Sequence, residues 1–294
     1  MATKQISIAV PTPRRATWPR LRQIPSVSAF IIAVFVFVAL AAPLLTAYSP
    51  TEQSLPDRLT PPAWQQGGSW KHVLGTDAFG RDVLTRMFYG ARITLLVTVL
   101  TLVTGGGIGI TLGILSGYLG GRLDTILMRA VDATLSFPTI LIALLLAVTM
   151  GPGLRTVIIA ICLIVWARFA RVIRAEVLAL KSREFVALAT IHGCSPLRIM
   201  KAHLAPNVFN TFMVILTLHV GYVILLEASL SFLGAGIPAP TASWGQMVSE
   251  GRTKIASAWW ISIIPGVAIM LVVLAFNLFG DWLRDRLDPK LRSL

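Results

Sequence analysis

The stretch ITLLVTVLTLVTGGGIGITLGILSGY, residues 93–118, carries no charged side chain from Ile93 to Tyr118. A bilayer core about 30 Å thick is crossed by about 20 apolar residues in a helix, so this segment reads as a membrane span. Glycines recur within it at 105, 109, 113 and 117, every fourth position and therefore on one helical face. Small residues at that spacing let another helix approach closely, which makes Gly105, Gly109, Gly113 and Gly117 the expected packing ridge.

Working outward, five further stretches have a comparable character. The first runs from Ala29 to Tyr48. The third is entered through Arg129 and Asp132 and continues to Met150, and the fourth occupies Val157 to Phe169. The fifth covers Val208 to Leu233, and the sixth covers Trp259 to Gly280, with Trp259, Trp260 and Trp282 as interfacial anchors. Pro138 and Pro265 are expected to kink the third and sixth. The composition agrees: of 294 residues 55% are hydrophobic and only 13% charged, with a mean hydropathy of +0.75, far from the roughly 25% charged content of soluble domains. The fold class predicted is all-α, a polytopic membrane protein of six transmembrane helices with both termini on one side.

The net charge of +13 follows the loops and forms no single basic domain, so it indicates membrane sorting and not nucleic-acid binding. Lys4, Arg14, Arg15, Arg20 and Arg22 precede the first span without an acid, which places both termini in the cytoplasm. The organisation expected is a cytoplasmic tail at 1–27, the first transmembrane helix at 28–48, and an extracytoplasmic loop at 49–92. A five-helix core at 93–281 and a cytoplasmic tail at 282–294 follow. Within the outer loop, Val83, Leu84, Met87 and Phe88 share one face while Arg81, Arg86 and Arg92 lie off it, the pattern of a helix lying along the membrane surface. A signal-peptide reading of the first span is disfavoured because Pro43 directly follows its small residues and the apolar run continues to Tyr48. Cys162 in a span and Cys194 in a cytoplasmic loop do not form a structural disulfide pair.

The segment KSREFVALATIHGCSPLRIMKAHLAPN, residues 181–207, is too polar to cross a membrane. Ser182 is placed to cap a helix, Gly193 to stop it, Ser195 and Pro196 to start a second, and Pro206 to end that one. Apolar Phe185, Leu188, Ile199 and Leu204 beside Arg183, Glu184, Arg198 and Lys201 suit either docking on a cytoplasmic partner or covering helix ends. Asp132 is expected to pair with Arg129 at i, i+3. Asp132, His219 and Glu227 are the candidates for a translocation path or gate, with Glu227 near the outer mouth and paired acid or pore acid as its alternatives.

The 181–207 segment resembles the EAA loop of binding-protein-dependent ABC importer permeases, whose pattern is Glu-Ala-Ala, three residues, glycine, nine residues, isoleucine, one residue and a closing Leu-Pro. Gly193 and Pro206 match. Ala187, Leu188 and Ala189 stand at the Glu-Ala-Ala positions, His203 at the isoleucine and Ala205 at the leucine. HVLGTDAFGRDVLTRMFYGAR (72–92), VDATLSFP (131–138), LLEASLSFLGAGIPAPTASWGQMVSEGR (225–252) and LAFNLFGDWLRDRLDP (274–289) resemble the C-type permeases of dipeptide and oligopeptide importers. The resemblance implies a type I importer permease in the bacterial inner membrane, lipid-embedded, with a homologous second permease subunit, two ABC ATPase subunits and an extracytoplasmic binding protein as partners. It implies that the coupling contact is made by Arg183, Glu184, Phe185, Ala187, Leu188, Ala189, Gly193, Cys194, Ser195, Pro196, Arg198 and Pro206. No GxxxxGK[ST] loop occurs, so the chain is read as binding no cofactor, with ATP used by the partner subunits. Nor are there HExxH, GxSxG or CxxC signatures of an enzyme. Nickel, glutathione and other small solutes are alternative cargoes. The reading from another class is an ion-driven secondary transporter, for which inverted repeats and midplane carboxylates are expected.

Overall fold

The computed structural model describes residues 25–287; of the expected tails at 1–27 and 282–294, residues 1–24 and 288–294 lie outside the described residues, and 282–287 continue the last helix. Helix α1 (Ser26–Leu45) is followed by an irregular connection, then by α2 (Val83–Leu119), α3 (Gly121–Ser136), α4 (Thr139–Met150) and α5 (Leu154–Lys181). A short α6 (Glu184–Ile191) leads to α7 (Pro196–Arg198), which runs through a π turn at Ile199–Leu204 into α8 (Ala205–Phe232). Helices α9 (Trp244–Gly251) and α10 (Trp260–Leu287) complete the described chain, in which no strand occurs.

Five helices have the length and apolarity to cross a bilayer, and α3 with α4 supplies a sixth, bent span. The expected kink at Pro138 is a break: α3 and α4 meet at 88°. Proline disfavours the helical region for its predecessor, and Phe137 is accordingly extended at φ −90°, ψ 141°. Pro265, in contrast, lies inside α10, which continues through it although the proline leaves the Ile261 carbonyl without its helical donor. The fourth span is longer than its apolar run suggested, because Arg168, Arg171 and Arg174 are all accommodated within α5.

Glycine sets how α2 meets α5. A Cβ at Gly109 would lie 2.5 Å from the Phe169 Cβ and 2.7 Å from the Trp166 carbonyl oxygen. One at Gly113 would lie 2.9 Å from Ile173 and one at Gly117 2.8 Å from Val177, while Gly105 faces Val165. Because 105, 109, 113 and 117 meet 165, 169, 173 and 177 in ascending order, the two helices run parallel. The chain between them must therefore return across the bundle, and α3 with α4 is the only segment that can carry it. Helices α8 and α10 run antiparallel, with Gly221 against Val273 and Asn277 and Gly280 against Leu218. Helix α1 closes the bundle through Phe35, whose ring lies 5.6 Å from Trp244 and 6.3 Å from Phe276.

No separate surface helix precedes the second span. Residues 83–119 form one helix, about 55 Å long at 1.5 Å per residue, which Asp82 caps by accepting from the Thr85 N–H at 2.8 Å. Of the residues placed off its apolar face, Arg81 and Arg86 are buried and only Arg92 is exposed. The connection before it is ordered by the Lys71–Asp57 pair at 2.9 Å, which holds the Asp57 carboxyl below its ordinary range and raises the Lys71 amine.

The ridge yields a prediction for the purified chain in detergent. Gly109→Ala should lower stability by about 1–3 kcal/mol through overpacking, read as a fall in thermal midpoint. Gly107→Ala, whose Cβ would meet nothing within 4 Å, should leave the midpoint unchanged or raise it.

Candidate functional site

The hairpin between α5 and α8 is held by a small core of its own. Val186, Ala189, Ile199, Met200 and Leu204 are buried together with Ile173, Val177 and Val208. Helix α6 ends in a Schellman motif: the Gly193 N–H donates to the Thr190 carbonyl at 3.0 Å and the Cys194 N–H to the Ala189 carbonyl at 3.0 Å. Gly193 sits at φ +73°, where a side chain is strained. The Ser195 hydroxyl accepts from the Arg198 N–H at 3.4 Å, with Pro196 in the first turn.

Two expected boundaries are corrected. Ser182 does not cap α6, since its hydroxyl donates to the Ala179 carbonyl at 2.9 Å and Arg183 occupies the cap position without a side-chain bond. Pro206 does not end a helix. The wider π turn before it, closed by the Ala205 N–H to Met200 carbonyl bond, absorbs the donor that proline lacks, and the chain continues as α8. The hairpin is thus one short helix folded onto the start of a very long one.

The outward face of this hairpin is apolar. Phe185, Leu188 (55% exposed), Leu197 and Ile191 (79% exposed) project from it, with Arg183, Glu184, Ala187 and Arg198 exposed beside them. Cys194 is half-buried in the turn. Ile199 and Leu204 belong to the inner core and do not contribute to the outward face. Ile191 and Leu197 were missed, because residue type alone does not tell the outward side of so short a helix from the inward one.

The polar groups of the bundle are matched differently from expectation. Asp132 pairs with Arg171 of α5 at 2.5 Å and not with Arg129, since the reach to a facing helix offers a guanidinium geometry that the same-helix neighbour does not. Asp124, unremarked in the sequence, takes Arg174 through two bonds at 2.5 and 2.6 Å and accepts from the Ser116 hydroxyl. His219 Nδ1 contacts the Ile215 carbonyl at 2.8 Å, and its ring lies 5.0 Å from Phe169, a satisfied packing position. Glu227 faces no open path in this chain. It is 1% exposed and accepts from the Ser231 hydroxyl at 2.8 Å beneath the connection from α8 to α9.

At the end of the bundle opposite the hairpin, buried Asp77, Arg81 and Arg86 form an ionic cluster with the part-exposed Glu250. Arg81 reaches Asp77 at 2.6 Å and Glu250 at 2.9 Å. Arg86 pairs with Asp77 and, at 2.8 Å, with Glu250. The cluster joins the start of α2 and the turn before it to α9, as the Trp244 Nε1–H to Met87 carbonyl bond at 2.8 Å does for α2, while the Trp260 Nε1–H to Thr76 carbonyl bond at 3.0 Å ties that turn to α10. The Asp77 to Arg81 spacing is visible in the sequence, but nothing there announces a partner 164 residues beyond Arg86.

Residues 109–293, which include the hairpin and both arginine-bearing segments of α5, match the family of binding-protein-dependent transport system inner membrane components. The chain belongs to this family. Residues 12–62 match the N-terminal transmembrane domain of oligopeptide transport permease C. The dipeptide transport system permease protein DppC of Escherichia coli (strain K12) is 41% identical over 293 residues, covering 99% of this chain and 98% of that protein. The DppC protein of Bacillus subtilis (strain 168) is 42% identical over 278 residues, 94% of this chain and 85% of its own. That of Haemophilus influenzae is 36% identical over the full length of both chains. The protein is therefore an ABC permease of the bacterial inner membrane.

Breaking a buried ion pair from one side leaves a charge without compensation, at a cost of about 3–5 kcal/mol. Arg86→Met, at a position 0% exposed, should therefore lower the thermal midpoint of the permease severely. Glu250→Gln, whose side chain is part-exposed and which leaves both arginines bound to Asp77, should lower it far less.

Proposed function

We propose that this chain forms one half of the translocation path of an ATP-driven importer for di- and oligopeptides and is driven through its hairpin by separate ATPase subunits. The observation that carries this reading is the apolar outward face of Phe185, Leu188, Ile191 and Leu197 on a hairpin rigidly mounted on α5. Anchors of that size, rimmed by charge, fit a groove on a protein partner. The arginine- and lysine-rich flanks of the hairpin support a cytoplasmic position for it and for both termini. The peptide cargo is supported by the names of the relatives.

On this reading a second, homologous permease completes the path and two ATPases grip the paired hairpins. A binding protein delivers peptide to the opposite end, where the connection before α2 and the α9 segment lie. ATP is bound by the partners, and this chain performs no covalent chemistry.

The test uses the complete transporter in vesicles. Ile191→Asp and Leu188→Asp should cut ATP-driven peptide uptake ~10-fold or more, the effect of removing an anchor of about 2 kcal/mol. Both sites are exposed, so the thermal midpoint of the permease should stay unchanged. In a Cys162→Ser background, a bifunctional thiol reagent should join Cys194 to a cysteine introduced beside the ATPase groove. Absence of the crosslink in every nucleotide state, or uptake that survives ATP depletion and collapses with a protonophore, defeats the proposal.

A further inference from the structure

Arg168, Arg171 and Arg174 follow one another at three-residue spacing on the inner half of α5, and the last two are matched with acids. Arg174 has Asp124 and Arg171 has Asp132. Arg168, one turn earlier, has no carboxylate partner among the described residues. It is half-buried, with its Cζ 4.3 Å from the centroid of the Tyr222 ring on α8. The Tyr222 hydroxyl donates to Thr139 Oγ1 at 3.4 Å, at the start of α4, and the ring of His219 lies 6.0 Å from that of Tyr222.

The depth of this cluster decides what it can face. Arg168 lies fourteen residues after Leu154, about 21 Å along a helix about 42 Å long, at the inner end of the apolar run that begins at Val157. A guanidinium in an apolar span is costly to leave facing lipid. Arginines that tolerate lipid extend along their helix toward the headgroups, whereas this one is folded across onto the aromatic ring of a neighbouring helix. Its exposed side therefore meets water or protein. The guanidinium retains its planar fork of donors, which matches a carboxylate, and Thr139, which accepts from Tyr222, has its own hydroxyl proton to donate beside it.

We propose that Arg168, with Tyr222 and Thr139, marks the face of this chain that lines the translocation path and holds the carboxylate of the solute in transit. This rests on the peptide-importer reading above and deepens it, because it assigns the membrane subunit itself a preference for solutes with a free carboxylate. The competing occupant is an acidic side chain of the second permease.

The experiment compares a dipeptide with its C-terminal amide in vesicles holding both permeases, the ATPases and saturating, preloaded binding protein, so that recognition outside the membrane cancels. Relative to the unaltered transporter, Arg168→Gln should reduce the acid-to-amide ratio of uptake ~10-fold or more, the loss of one charge-assisted bond, while ATP hydrolysis continues. Arg168→Lys should retain most of the preference. Thr139→Asp keeps the arginine but places a carboxylate beside the same ring, and should erase the preference in the same way. An unchanged ratio in both Arg168→Gln and Thr139→Asp overturns the assignment. So does failure of Arg168→Gln to assemble while Thr139→Asp assembles with an unchanged ratio, which gives the arginine to an acid of the second permease. Absence of ATP-driven uptake by the unaltered complex would instead strike the importer reading itself.

Discussion

Close packing of α2 on α5 is the constraint from which the rest of the molecule follows. Lipid tails are as apolar as leucine, so two helices in a bilayer gain little from hiding apolar side chains and must associate by shape. Four glycines in register let the backbone of α2 reach that of α5, and this contact fixes the parallel course of the two helices. The parallel course in turn requires a returning span between them, which the broken pair α3 and α4 provides.

The same contact mounts the hairpin. Ile173 and Val177 meet Gly113 and Gly117 on one side and belong to the hairpin core with Val186, Ile199 and Leu204 on the other. A displacement of α6 thus bears directly on the α2–α5 pair without an intervening flexible loop. The Schellman turn at Gly193 and the π turn before Pro206 are local solutions that keep this element compact, each answering a backbone group that ordinary helix geometry leaves unbonded.

At the opposite end, the polar work is done by ions. Taking Asp77, Arg81, Arg86 and Glu250 out of water is costly, and such clusters hold one arrangement more than they add net stability. Here the arrangement ties the first turn of α2 to α9, the Trp244 N–H bond repeats that tie, and the Trp260 N–H bond fastens the preceding turn to α10. Between the two ends, Arg171 and Arg174 on α5 are paired with Asp132 and Asp124 of α3, whereas Arg168 lies on the Tyr222 ring with no carboxylate partner among the described residues.

Membrane residence, the number of crossings, the glycine ridge, the stop at Gly193 and the start at Ser195–Pro196 were all legible in the sequence. Each depends on residues close together in the chain, where helical period and backbone preference decide the outcome. The fate of Pro206, the inward or outward side of Ile191 and Ile199, the partner of Asp132, the burial of Glu227 and the pairing of Arg86 with Glu250 were decided only by tertiary structure. Each of these turns on which distant segment lies opposite, and a charge or an apolar side chain carries no local mark of the group that will answer it.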